Sequence, residues 1–509
     1  MGEISNLKSD KIAFSMKSIR TFLDRLLTAI FHPVEEKKYP WLSRTWIGAL
    51  FLAGALLWVF FFNWGDGPFQ YHDWSEVWTA RQQAWRDALL KNTLPFHLND
   101  VGAMRTDGDR YFTVPDMVVS PQVILLRWLE VGPYTMVNSL LLYSIATWSL
   151  LRIRKRFGLS LFAYAVLFLL FHFNGFIVCH FSVGHLSWGG YYFFPAFVLL
   201  LLELLEGDHS WQWVTQMAFV LFFILLQGSF HHFFWCFLVL ASLGITAWRH
   251  AIPLIKVAAA TLLLSMLRIL PIMSRIGDLH EEFHFLSGYP SLKHILVSLT
   301  YNSTPNMAMP RMIFENNLGY WEFDIFIGWV GVAFVGIFSI FMLYDYFRER
   351  KFPYLILSIV MLVLFSIQDY FPRAFFNQTW LISSERVTTR MLGLVLVMMV
   401  ILAVIYYQKA IDLIRLPWWL KLVQLTLLAV LAYDVVLHTL RWSVKSTYLA
   451  FGIGLRDLSL IHVTNHADPA YFTTLAVGNG ISLLTVLFLL WISGYLKSWV
   501  NFLRLLVKK

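Results

Sequence analysis

The sequence predicts an all-α, polytopic membrane protein with about 12 transmembrane helices, since a crossing takes about 20 apolar residues and such runs recur along the chain. Two compositional observations agree. Of 509 residues, 58% are hydrophobic and 14% charged, where a soluble globular chain carries about 25% charged residues. The mean hydropathy is +0.61. The 45 Phe and 22 Trp fit a chain facing lipid and headgroups.

Residues 1–43 carry Lys8, Lys11, Lys17, Arg20, Arg25, Lys37 and Lys38 ahead of the first long apolar run. With no short apolar core followed by a small-residue cleavage pattern, they read as a cytoplasmic arm rather than a signal peptide. Ile19, Phe22, Leu23, Leu26, Leu27 and Ile30 suit a helix lying on the membrane surface. Apolar runs then fall near 44–63, 134–151, 159–179, 187–205, 212–229, 232–248, 251–268, 325–345, 352–369, 391–407, 418–437 and 477–494.

Orientation follows from the short basic loops. The arm, Arg152–Arg156, Arg348–Lys351 and the tail ending Lys508-Lys509 all fall on one side if these runs cross in turn. Both termini are therefore expected in the cytoplasm. The net charge of +9 reads as orientation charge and contact with anionic lipid or phosphate, not nucleic acid. The other side receives 64–133, 269–324, 370–390 and 438–476, plus tight turns at 181–185 and 227–232. Long loops on one face of a scaffold place a functional site there. Cys179 and Cys236, in separate apolar runs, make neither a disulfide framework nor a metal knuckle.

In the first outer loop, Trp74, Val77, Trp78, Trp85, Ala88 and Leu89 share one side of an expected helix over 74–89. Glu76, Gln83, Arg86 and Asp87 take the other. This amphipathic pattern predicts a helix at the outer interface. His72 and Asp73 open it. Asp73 has two readings: an N-cap supported by Glu76, or a general base at the membrane surface. Asp107 and Asp109 flank Gly108, which suits a solvated turn or a weak site for Mg²⁺ or Mn²⁺.

Ionisable groups also stand at the outer mouths of later runs, where desolvation makes unpaired charge costly. His180 and His185 bracket one turn, and His231 and His232 close another. Each reads as an interfacial packing residue, or as a donor to a sugar hydroxyl or phosphate. Adjacent histidines on a helix point different ways, so His231 and His232 are not expected to share a ligand. Arg386 and Arg390, four apart, share a face if helical; they either snorkel to headgroups or fork a lipid phosphate. Glu322 and Asp324, at the bilayer edge, suit a sugar or a cationic acceptor. His280-Glu-Glu-Phe-His284 satisfies the zinc-protease pattern H-E-x-x-H, but Gly277 and Gly288-Tyr-Pro290 leave room for only a short helix. A polar patch with weak metal affinity is the expectation there. No phosphate-cradling glycine loop or dinucleotide fingerprint stands in a suitable setting, which disfavours a nucleotide-driven pump.

A cytoplasmic start, one span, then an outer loop opening with His72-Asp73 and an interfacial helix form a recognisable layout. With Gly184-His185 and Arg386-Val-Thr-Thr-Arg390 it resembles the polytopic GT-C fold class of membrane glycosyltransferases. These use polyprenyl-phosphate-linked sugars. The resemblance covers most of 44–410, which it marks as a catalytic module, with 411–509 as added C-terminal helices. It implies that Asp73 is the acceptor-activating base and that Arg386, Arg390 and His185 hold the donor phosphate. Substrate contacts would come from His72, His231, His232, Glu322 and Asp324. It also implies a glycan or lipid acceptor, membrane lipids as partners, and a bacterial inner membrane as the location. The chain departs from the family in having no clear paired-acid motif in the first loop. Two rival readings remain. A secondary transporter or flippase would need an internal repeat and midplane charges. A non-catalytic assembly subunit would use the outer loops only for docking.

Overall fold

The computed structural model describes residues 24–104, 108–275, 285–305, 318–349, 353–372, 384–414, 416–452 and 457–496. Among these, the structure is helical, with isolated β-bridges and no extended strand. Seven helices are long and apolar enough to cross a membrane: α1 (Pro40–Phe61), α3 (Val131–Phe157), α4 (Leu161–Ser182), α5 (Leu186–Leu205), α11 (Thr388–Leu413), α12 (Trp418–Arg441) and α13 (Pro469–Ile492). Helices α7 (Phe230–Thr246) and α8 (Trp248–Leu264) pass the same test as a pair bent by 118°. Shorter apolar helices lie within α6 (Trp211–Leu226), α9 (Gly328–Glu349) and α10 (Pro353–Ser366). The chain is thus an integral membrane protein by length and composition of its helices.

Burial separates a centre from a rim. The apolar window of α4 is 100% buried and that of α11 is 89% buried, against 17% for α1 and α12 and 22% for α13. Every α4 residue between Leu161 and Ser182 therefore faces protein, and α1, α12 and α13 offer most of their surface to lipid. Because lipid is as apolar as leucine, packing and polar contacts hold such a bundle more than burial does. Polar caps mark the start of α4 and its interruption at 173–174. Ser160 accepts from the amide of Ala163 at 3.3 Å, and Asn174 accepts from that of Ile177 at 3.4 Å. The Asn174 side chain also donates to the freed carbonyls of Leu170 and Phe171.

The expected outer helix is present as α2, a π turn over Trp74–Trp78 continued by Thr79–Leu90. Its position differs from the expectation. Trp74, Val77, Trp78, Trp85 and Ala88 are buried in protein rather than turned to the membrane interface, and so are Arg81 and Gln82 on its flank. Arg81 pairs with Asp116 at 3.0 Å and covers the Trp78 ring, which offsets its desolvation. The stripe is real, but loop residues such as Tyr111, Phe112 and Leu126 fill a second apolar core with Trp85. The last helix starts eight residues earlier than the apolar run at 477 suggests. Pro469 stands at its first turn and Asp468 accepts from the Tyr471 amide, a start signal outside the apolar window.

Candidate functional site

Three anchors hold the start of α2 against the turn between α4 and α5. The Trp74 indole donates to the Ser182 carbonyl at 2.9 Å, and the Tyr71 hydroxyl donates to the same oxygen. This satisfies a carbonyl left over at the α4 terminus. Gly184 supplies the third anchor. Its φ is +97°, and a Cβ there would stand 2.5 Å from the Trp74 nitrogen and 3.0 Å from the Asp73 carbonyl carbon. Only glycine permits that approach without displacement. His72 has φ +44°, uncommon for a residue with a side chain and found mainly where surrounding structure enforces it.

The result is a contact between His185 and Asp73, with His185 Nε2 3.1 Å from Asp73 Oδ2. Asp73 makes no side-chain cap on α2, so the N-cap reading does not account for it. His185 Nδ1 lies 2.8 Å from His180 Nδ1, which forms a line Asp73–His185–His180. The His180 ring stacks on Trp188 at 4.3 Å and 8°. On the far face of Trp188's neighbourhood, Arg390 sits 5.3 Å from the same indole and forks Glu322 with two bonds of 2.6 Å. Further along, Glu385 accepts from the Trp235 indole at 3.0 Å and meets His231 Nδ1 at 2.8 Å. Asp73, His185, Glu322, Arg390 and His231 thus share one rim, joined through Trp188. No family model matches the chain, and neither does any curated protein or solved structure.

Protonation states at the rim follow from this geometry. Burial alone would raise the Glu322 pKa, but the Arg390 charge and its two hydrogen bonds outweigh it and hold the carboxyl well below the usual range. Burial lowers the His72 pKa, only partly opposed by Asp73. At neutral pH the site therefore holds a carboxylate at 322 and a neutral imidazole at 72.

Two ligand sets overlap here: His72, Asp73 and His185, and His180, His185 and Glu322, with the donor atoms of each set within 4.8 Å of one another. His72 Nδ1 is buried and makes no hydrogen bond, with Asp73 Oδ1 at 3.5 Å. Mixed imidazole and carboxylate donors fit a borderline divalent ion such as Zn²⁺ better than Mg²⁺. The acids expected to hold a metal lie elsewhere: Asp109 is 40% exposed beside His466. Asp107, His280 and His284 fall outside the described residues.

Some expected residues take other roles. Asp324 is buried away from the rim, where it accepts from the Phe326 amide at 2.9 Å and contacts His438 at 3.2 Å and the Ser303 hydroxyl. That is a packing network, without an opening to an acceptor. His232 is 1% exposed, with both ring nitrogens unpartnered among Trp188, Phe194 and Trp235. Arg386 precedes the helical turn that carries Arg390, because residue 387 pairs with Ser287 in a β-bridge. The two arginines therefore do not share a helix face; the Arg386 carbonyl accepts from Leu286 and Ser287. Glu385, Trp188 and Trp235 were not expected as site residues. The clue for Glu385 was a carboxylate beside arginines at the mouth of an apolar run.

An apolar cavity of about 240 Å³ is lined by Leu299, Ile325, Ile327, Val363, Leu392 and Leu396 with other aliphatic side chains. Ile325 and Leu392 are three and two residues beyond Glu322 and Arg390 in the chain.

Proposed function

We propose that the chain is a glycosyltransferase that moves a sugar from a polyprenyl-phosphate donor to an acceptor hydroxyl at the non-cytoplasmic membrane face. The observation that carries the reading is the contact of a buried, non-capping Asp73 with His185, beside the Glu322–Arg390 pair. In this reading the chain has the GT-C-like layout and crosses 12 times, counting the arms of the bent pair separately and adding the three shorter apolar helices. Both termini are cytoplasmic, and a bacterial inner membrane is the setting.

Asp73 takes the proton of the acceptor hydroxyl. The oxygen attacks the anomeric carbon, the bond from that carbon to phosphate oxygen breaks, and the electron pair leaves with the polyprenyl phosphate. His185, 3.1 Å from Asp73, fixes the carboxylate, and His180 holds the opposite nitrogen of the His185 ring. The aliphatic cavity suits a few isoprene units. Arg390 keeps further donors after spending two on Glu322, so it meets the leaving phosphate as one side of a pre-formed pair.

At the rim, Asp73, Glu322 and Glu385 stand against Arg390, an unfavourable field for an anionic leaving group. A divalent ion held by His72, Asp73 and His185 would supply countercharge to that group when bound.

The test is transfer of radiolabelled sugar from polyprenyl phosphate to candidate acceptors by the purified, lipid-reconstituted chain. Asp73→Asn is expected to lose transfer by about 10²–10⁴-fold while staying folded. Full activity in that variant removes Asp73 as the base. Movement of the donor across the bilayer without a glycosidic product supports the transporter reading instead.

A further inference from the structure

A second cluster ties the loop that carries α2 to the segment that precedes α13. Leu98 and Val463 form a β-bridge, the Thr464 amide donates to the His97 carbonyl at 3.0 Å, and Asn465 Oδ1 accepts from the amides of Phe96 and His97. This frame fixes the side chain of His97, which is fully buried.

The surroundings of that ring are arranged unusually. His97 Nε2 lies 3.4 Å from Asp468 Oδ2. Asp468 is itself oriented by Arg110, through bonds of 2.6 and 3.0 Å, and by the Tyr471 amide. A carboxylate at Nε2 sets the proton there and leaves Nδ1 as a bare lone pair. Nδ1 is buried and has no hydrogen-bond partner. Leaving such an acceptor unsatisfied is costly. The His466 ring lies 3.8 Å from that of His97, and His466 Nδ1 is 3.9 Å from Asp109 Oδ2. Donor atoms of His97, Asp109 and His466 come within 4.8 Å of one another.

We propose that His97, Asp109 and His466 form a binding site for a divalent transition-metal ion, of which Zn²⁺ is the best match, with Asp468 orienting His97 from behind. Carboxylate support on the nitrogen opposite the metal is a recurring feature of histidine ligation. Two imidazoles and one carboxylate suit Zn²⁺ rather than Mg²⁺ or Ca²⁺. His466 and Asp109 are 54% and 40% exposed, so the ion has a solvent path and a water completes its shell. The ion would cross-link segments about 360 residues apart in sequence, a long loop whose closure costs entropy. Its role is structural: it orders the outer segment against the loop that carries α2. The proposal does not rest on the glycosyltransferase reading.

The test uses the full chain in detergent, stripped with chelator, dialysed against micromolar ZnCl₂ and assayed for bound metal by mass spectrometry. Wild type is compared with His466→Ala and Asp109→Asn, whose exposed side chains can change without disturbing the core. Each variant is expected to bind about one Zn²⁺ fewer per chain than wild type. Zinc should raise the unfolding temperature of wild type more than that of either variant. Reading the difference isolates this site from any ion at His72, Asp73 and His185. Equal zinc content and equal thermal shift in wild type and His466→Ala would overturn the proposal. So would a wild type that binds no zinc.

Discussion

Replacing Gly184 by alanine probes the contact on which the rim depends. At φ +97° a side chain costs about 1–3 kcal/mol of backbone strain. Alanine recovers about 0.4–1 kcal/mol by restricting the unfolded chain, so strain wins. The new Cβ also meets the Trp74 nitrogen at 2.5 Å. Restoring ordinary van der Waals contact means moving the 183–185 turn away from Asp73–Trp74 by about 1 Å, and a shift of that size costs about 10²-fold in rate at a reacting centre. Because the shift opens the His185–Asp73 pair directly, the rate is expected to fall along with the stability. The assay is sugar transfer under saturating donor alongside thermal unfolding in detergent. Expected are a loss of about 10²-fold in kcat and a destabilisation of about 1–3 kcal/mol. Wild-type kcat in Gly184→Ala would refute the idea that this turn sets the geometry of the site.

Glu322→Gln leaves the Arg390 guanidinium without its buried partner and is expected to destabilise the protein by about 3–5 kcal/mol, measured by denaturant or thermal unfolding. Pairing it with Arg390→Met should recover much of that loss, because the uncompensated charge goes too; no recovery would show that the pair does not act as a unit. The folded Glu322 carboxyl has a pKa below its ordinary 4.5. Its contribution is therefore full above that value and is lost as pH falls through the lower folded value, so Glu322→Gln should flatten the acid limb of a stability–pH profile. His72 has the opposite charge sign: its folded pKa lies below the ordinary 6.5, so the unfolded chain takes up the proton first and stability drops as pH falls below 6.5. His72→Gln should reduce that drop, and an unchanged profile would place the titration elsewhere.

The long helices were readable because a crossing leaves a strong local mark. Leu161–Ser182 and Thr388–Leu413 stand out on apolar length alone. The stripe of Trp74, Trp78 and Trp85 was equally plain, yet the pattern shows only that one face is apolar, not whether lipid or protein covers it. Here the Tyr111–Phe112 segment and its neighbours do. Start signals outside the apolar window, such as Asp468-Pro469, moved a boundary by two turns. For the site, Asp73, His185 and Arg390 were identifiable as ionisable groups at the mouths of apolar runs. Their partners were not. Nothing local told Glu322 from Asp324, two residues apart, although one pairs with Arg390 and the other is sealed beside His438.

By itself the sequence determined that the chain belongs in a bilayer and roughly where its long apolar helices run. Those are properties of composition and short-range order, set by the cost of placing peptide groups and charges in hydrocarbon. The tertiary structure alone decided which polar groups touch. Asp73 meets His185 because a left-handed glycine lets two backbones approach, and Glu322 meets Arg390 because a loop and a span converge. Contacts between residues tens to hundreds of positions apart depend on packing, which no local pattern encodes.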